Sequence, residues 1–253
     1  MGKFFDPPKD SKTKKVSQWL SIKEGAPVVF QVLDESPTEI HTHWVADGAG
    51  RRLGFKCLGM GRCPICQRNR EINFDTDHPD FIRRSRRYRV NVLDLTPVIE
   101  CPECEAVYYK SSVPKRCSTD GCSADLSDVE PTPLKEVRIL EKGRQNMIQL
   151  DALDNDEHPL TGEVMRIQEF PIKATAHGSG LDTVTVFHPQ LPREDVDPDA
   201  YEKYDLEEET LELTPDEIEF ILEGGTYEDV FSARSAEEEV EELEDEDVES
   251  IPF

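Results

Sequence analysis

His43–Cys66 reads HWVADGAGRRLGFKCLGMGRCPIC. It sets His43, Cys57, Cys63 and Cys66 in line, with 13, 5 and 2 residues between them. Cys63-Pro64-Ile65-Cys66 is a knuckle that presents two thiolates to one ion, and three thiolates want a fourth donor to complete a tetrahedral zinc site. His41 and His43 alternate with Thr42 and Trp44, as on a strand, so the two histidines share a face. His43 is the preferred fourth ligand, with His41 and His78 as alternatives. Three buried thiols packed as small apolar groups would be the plainer reading, but a CPxC preceded by Gly59 and Gly61 argues for metal. Arg51, Arg52, Lys56, Arg62, Arg68 and Arg70 surround the ligands, a distribution suited to meeting phosphates.

The remaining four cysteines form a second device. Cys101-Pro102-Glu103-Cys104 is followed after 12 residues by Cys117 and after 4 more by Cys122. Two thiolate pairs at ribbon spacing predict a four-cysteine zinc site with no open coordination position, hence structural. The expectation is two zinc ions per chain. A segment this short cannot bury a core of its own, and the metal would replace one.

Charge is divided along the chain. The net charge is -25, but residues 191–253 carry 26 acidic and 3 basic residues, leaving -2 for residues 1–190. Residues 51–90 hold 11 bases against 4 acids. A near-neutral body with a basic face is thus followed by an acidic tail. No apolar run follows Met1, and none is long enough to span a membrane. The cysteines therefore read as thiolates of the cytoplasm rather than as disulfides.

Residues 1–24 read as a basic arm. Ala26–Leu33 and Glu39–Val45 are β-rich and predict a hairpin across Ser36-Pro37. Arg83-Arg84-Ser85-Arg86-Arg87-Tyr88-Arg89 leads into a strand with Tyr88, Val90 and Val92 on its apolar face. Glu136–Leu140 is a further strand, Gln145–Leu153 a short amphipathic helix, and Phe170–Ala176 with Thr183–Phe187 a closing hairpin. About six short strands, with a helix before the last pair, predict a mainly β fold. The best match is an oligonucleotide-binding (OB) barrel over residues 25–190 with the zinc ribbon of 101–122 inserted. In residues 191–253 a helix is expected near 214–223, opening at Thr214-Pro215 and ending at Gly224-Gly225. The rest of this region is expected to be disordered because it is so acidic.

No GK[ST] phosphate loop, HExxH or GxSxG occurs, and the acids around Asp151–Glu157 fail the calcium-loop pattern, so no enzymatic activity is expected. The candidate DNA-binding residues are Arg51, Arg52, Lys56, Arg62, Arg83, Arg84, Arg86 and Arg87 for phosphates. Trp44, Phe55, Tyr88 and Phe187 are the candidates for stacking bases. Each of these aromatics is alternatively a core residue.

The His43, Cys57, Cys63, Cys66 order, followed by Arg87-Tyr88-Arg89-Val90-Asn91-Val92-Leu93-Asp94, resembles the single-stranded DNA-binding (helix-destabilising) proteins of tailed bacteriophages, the T-even type included. The likeness covers roughly residues 1–190 in organisation. It differs in the gap lengths and in the second, four-cysteine site. The resemblance implies one zinc inside an oligonucleotide-binding fold, with ligand roles for His43, Cys57, Cys63 and Cys66. It also implies a basic arm that supports cooperative self-association on DNA and an acidic C-terminal region that recruits partners. Separately, Asp247–Phe253 is similar to the acidic tip of bacterial single-strand-binding proteins, which implies that Ile251, Pro252 and Phe253 dock replication, recombination or repair proteins. The expected function is sequence-independent single-stranded DNA binding. The alternatives are a zinc-ribbon transcription or polymerase-associated adaptor and, third, a metal-dependent nuclease.

Overall fold

The β-rich run at 26–33 forms the middle of a sheet. The computed structural model describes residues 17–157, 162–178 and 183–235. These fall into two units: the described parts of Met1–Ile40 with Arg86–Glu209, and of His41–Ser85 with Thr210–Phe253. Strands dominate the first, helices and one hairpin make up the second, and the sheets are antiparallel. Among the described residues no helix is long and apolar enough to cross a membrane.

In the first unit β1 (Val28–Val32) lies between β9 (Ile172–His177) and the C-terminal part of β4 (Arg84–Asp94). β10 (Val184–Pro189) extends the sheet beyond β9, and β8 (Glu136–Lys142) pairs with the other edge of β4. The order β10-β9-β1-β4-β8 corrects the expected hairpin of β1 with the next strand. β2 (Thr38–Ala46) instead makes its hairpin with β3 (Arg52–Lys56), a strand not foreseen. The helix expected at Gln145–Leu153 is α2 (Arg144–Asp151), just before the last strand pair.

Alternation decides the core. Phe30, Val32, Val90, Val92, Leu140, Ile172 and Ala174 share it with Met147 and Leu150 of α2 and with Phe187, whose ring meets Phe30 edge-on at 6.4 Å. Burying each of these large side chains contributes on the order of 1.5–3 kcal/mol. The other face of β4 is covered too. Asn91 exchanges hydrogen bonds with the backbone of Tyr204, and Arg89 donates to the Leu206 carbonyl at 3.1 Å and pairs with Glu141 at 2.9 Å. Arg89 also lies over the Trp19 ring, 4.8 Å from its centroid. Acid-rich residues near 205 are therefore part of the fold, with Val196 and Leu206 buried. The disorder expected there does not hold.

The segment between β4 and β8 folds on its own small sheet, β6-β5-β7, from β5 (Pro97–Glu100), β6 (Val107–Tyr109) and β7 (Thr132–Pro133). Its apolar cluster consists of Ile99, Cys101, Cys117, Ala124 and Leu126. One charged group ties it to the main sheet. Arg138 of β8 donates to the buried Asp94 carboxylate at 2.7 Å, to the Tyr109 hydroxyl at 2.9 Å and to the carbonyls of Ser17 and Trp19. Deleting one member of such a buried pair costs about 3–5 kcal/mol, since the other charge is left uncompensated.

The second unit holds the β2–β3 hairpin, α1 (Pro64–Glu71), α3 (Pro215–Leu222) and helical residues 227–235. α3 starts where expected. The Thr214 hydroxyl accepts from the Glu217 N–H, the Glu217 carboxylate accepts from the Thr214 N–H, and Pro215 opens the helix. Val45, Phe55 and Ile65 pack with Leu211, Leu213, Ile218, Ile221, Tyr227 and Val230 in one core. Tyr227 donates its hydroxyl to the Val45 carbonyl at 3.0 Å, and burial pushes its phenol up to about 12. Asp47 accepts from the N–H groups of Ala49, Arg51 and Tyr227, so one carboxylate binds the β2–β3 turn to the last helix. Gly48 lies so close to Gly224 that an added Cβ would meet its carbonyl oxygen at 1.9 Å. Residues 1–16 and 236–253, with Ile251, Pro252 and Phe253, lie outside the described residues; of the arm expected over 1–24, residues 18–20 run along Ile139, and Leu20 is buried in the first core.

Candidate metal centres and the exposed basic face

His43 is an inward residue of β2, and Cys57 follows directly on β3. A backbone bond from the Cys57 N–H to the His41 carbonyl, 2.8 Å, holds the two strand ends together. Gly59, at φ +87°, turns the chain so that its carbonyl accepts from the Arg62 and Cys63 N–H groups. Cys63 then caps α1, Pro64 begins the helix, and Cys66 lies in its first turn. The four donor atoms of His43, Cys57, Cys63 and Cys66 all lie within 4.8 Å of one another. Cys66 Sγ is 3.5 Å from both Cys57 Sγ and His43 Nε2. His43 is fully buried, and its Nδ1 has no hydrogen-bond partner among the described residues. His78 instead accepts from the Asp80 N–H through Nδ1 and is not part of this group, and neither is His41.

The Cys63 thiol bonds to Cys57, which draws the Cys57 thiol below its ordinary value and pushes Cys63 up; burial pushes Cys66 up. A metal ion is bound by thiolates, so an ion held here would displace the thiol protons.

In the ribbon, Cys101, Cys104, Cys117 and Cys122 likewise lie with all donor atoms within 4.8 Å. Cys101 Sγ is 3.6 Å from Cys122 Sγ, and Cys104 Sγ is 3.4 Å from Cys117 Sγ. Glu105 at φ +59° and Gly121 at φ +80° make the two tight returns. The Ser118 N–H donates to the Tyr108 oxygen at 3.0 Å, which aims the Tyr108 hydroxyl at Cys117 Sγ, 3.1 Å away. Bonds from Thr119 and Tyr108 hold the Cys117 thiol down at about 6. Both clusters can hold a metal ion, and the ligand residues are those expected from spacing.

The candidate DNA-binding residues separate by exposure. In the second unit Arg51, Arg52, Arg62, Arg83 and Arg84 are exposed, and half-buried Lys56 pairs with Glu212 at 3.3 Å. Trp44 is 40% exposed. Register explains its setting: Trp44 lies opposite Gly54, with Thr42–Lys56 and Ala46–Arg52 as the neighbouring pairs on that face. A Cβ at Gly54 would meet the Trp44 ring at 2.7 Å, so the glycine is what lets the indole lie across the hairpin. Gly54 was missed in the sequence because a glycine inside a strand ordinarily weakens it.

Two expected stacking residues are corrected. Phe55 faces the second unit's core and Phe187 the first unit's, so neither ring is available. Tyr88 is half-buried against the first core. Arg86 is exposed and pairs with Glu39 at 3.2 Å, and Arg87 is half-buried. Arg89, read with the arginine cluster, is a structural residue. The chain matches no protein-family model and no curated protein sequence.

Proposed function

We propose that the protein binds single-stranded DNA without sequence preference, in replication, recombination and repair, and carries two structural zinc ions. The carrying observation is the outer face of the β2–β3 hairpin. There the exposed Trp44 indole lies over Gly54, between the positions of Arg52 and Lys56. An indole offers a π-face to any base, and flanking cations hold the phosphates on either side, which is sequence-tolerant by its chemistry. Exposed Arg51, Arg62, Arg83 and Arg84 in the same unit extend the positive charge.

Zinc suits both donor sets. Tetrahedral zinc with bonds of about 2.3 Å sets its sulfurs about 3.8 Å apart; the pairs Cys57–Cys66, Cys101–Cys122 and Cys104–Cys117 lie at 3.4–3.6 Å, and all donors of each set lie within 4.8 Å. Four protein donors leave no open position, so the ions would shape the fold and activate no water. The first unit's antiparallel sheet, with α2 before its last strand pair, supports the oligonucleotide-binding barrel. The adaptor reading has one observation of its own. Residues 97–133 carry 7 acidic and 3 basic residues, so the ribbon suits a protein surface better than a phosphate chain.

Trp44→Ala tests the proposal. Oligo(dT) affinity should fall by about 1–3 kcal/mol, and Trp44→Phe should keep most of it. Unchanged affinity in Trp44→Ala would remove the platform from the function.

A further inference from the structure

The core of the first unit is open at one place. Val32, Val90, Met147 and Leu150, all core residues, also floor a cavity of about 280 Å³ between α2, β4 and the loop after β1. Ile148 lines it too and is 49% exposed. Its rim is acidic: Asp34, Glu35, Asp151 and Asp154 stand against one cation, Arg144. Asp34 already meets Lys203 at 3.6 Å and the Asn91 N–H at 2.6 Å, and Asp154 meets Arg166 at 3.7 Å and the Ile167 N–H at 2.9 Å. The exposed carboxylates of Glu35 and Asp151 have no partner among the described residues.

These walls select an occupant. A rim of net negative charge repels a phosphate chain and attracts an amine. The floor takes an apolar group out of water. Arg144 suits a ring better than an aliphatic chain, because a guanidinium packs on an aromatic face. A cavity of about 150 Å³ takes a benzene ring, so this one has room for one phenylalanine ring and part of a second.

A segment of that chemistry belongs to this chain. Residues 1–16 read MGKFFDPPKDSKTKKV, in which Phe4 and Phe5 adjoin Lys3, and five lysines stand against two aspartates. The tether reaches. Residues 18–20 run parallel to β8, with Trp19 beside Ile139. Lys142, opposite Tyr88 of the cavity wall, is three residues further along β8, or about 10 Å. The 12 residues from Phe5 to Ser17 span about 40 Å when extended.

We propose that the chain's own N-terminal segment docks in this cavity, a ring of Phe4 or Phe5 on the apolar floor and its lysines against Glu35 and Asp151. The contact needs no DNA. A short tether keeps the segment at an effective concentration in the millimolar range, so a contact of modest affinity is populated.

The test is amide hydrogen exchange of the full chain, followed over residues 34–36 and 144–151. Phe4→Ser together with Phe5→Ser alters none of the described residues. The double variant should speed exchange over both segments by about fivefold, as the loss of a bound segment requires, and should leave the ribbon and the second unit unchanged. Glu35→Lys, at an exposed rim position, should speed exchange over 144–151 by about twofold. In the wild type, exchange over both segments should be unchanged by about 100-fold dilution, because the segment and the cavity share one chain.

Unchanged exchange in the double variant would overturn the docking, and so would faster exchange that spreads to the ribbon and the second unit. No effect of Glu35→Lys would overturn it as well, since the rim is what selects a basic segment. Protection that falls on dilution would give the cavity to the arm of a second copy and would overturn docking within one chain.

Discussion

The two metal clusters have alike donor geometry and unlike surroundings. His43, Cys57, Cys63 and Cys66 sit at one side of a core that includes Phe55, Ile65, Leu213, Ile218 and Tyr227. Cys101, Cys104, Cys117 and Cys122 have only Ile99, Ala124 and Leu126 as fully buried apolar company. The ribbon's cysteines are therefore a large part of its small core, Cys101 and Cys117 being two of its five buried residues, whereas the other cluster adds to a core that already exists. Metal should matter to folding in proportion: decisive in the ribbon, supportive in the second unit.

The largest expected effect follows from that contrast. Metal binding in small metal-held modules is worth about 10–16 kcal/mol. Cys101→Ser should therefore abolish amide-exchange protection across residues 97–133 while leaving that of the second unit in place. Elemental analysis should fall from two zinc ions per chain to one. Loss of protection in both units together would show that the two clusters do not differ as their surroundings imply.

A smaller effect is expected where the protein, rather than the metal, holds the second unit. Tyr227→Phe leaves the buried Val45 carbonyl without its donor and should cost about 1–3 kcal/mol, read from denaturant unfolding. It should leave the metal content at two. Metal loss in this variant would mean that the first cluster depends on the C-terminal helix more than its own chain geometry implies.

The contrast also explains what could be read from sequence. Both ligand sets were legible because coordination demands particular residue types at short spacings. The main-sheet strands of the first unit were legible from their apolar runs, though β5, β6 and β7 of the ribbon were not, and α3 was legible from Thr214, Pro215 and the glycines after it. The disorder assigned to residues beyond 191 was wrong over much of the described chain because acid density masked an apolar set. Leu206, Leu211, Leu213, Tyr227 and Val230 are spaced among glutamates, yet all are buried. β3 was hidden by Gly54, whose purpose is apparent only with Trp44 lying over it. Phe55, Phe187 and Arg89 show the limit of pattern at a strand. Alternation tells which residues share a face, but not whether that face meets solvent or another segment, here residues 204–206 over β4.

We propose a surface that holds single strands by stacking and phosphate contact. It is tested most directly by fluorescence titration of the full chain with oligo(dT) and with duplex of equal length, each at two salt concentrations. Oligo(dT) should bind more tightly than duplex, with log affinity falling against log salt by about 0.7 for each phosphate contacted. Equal affinity for the two, or binding that does not respond to salt, would contradict the account.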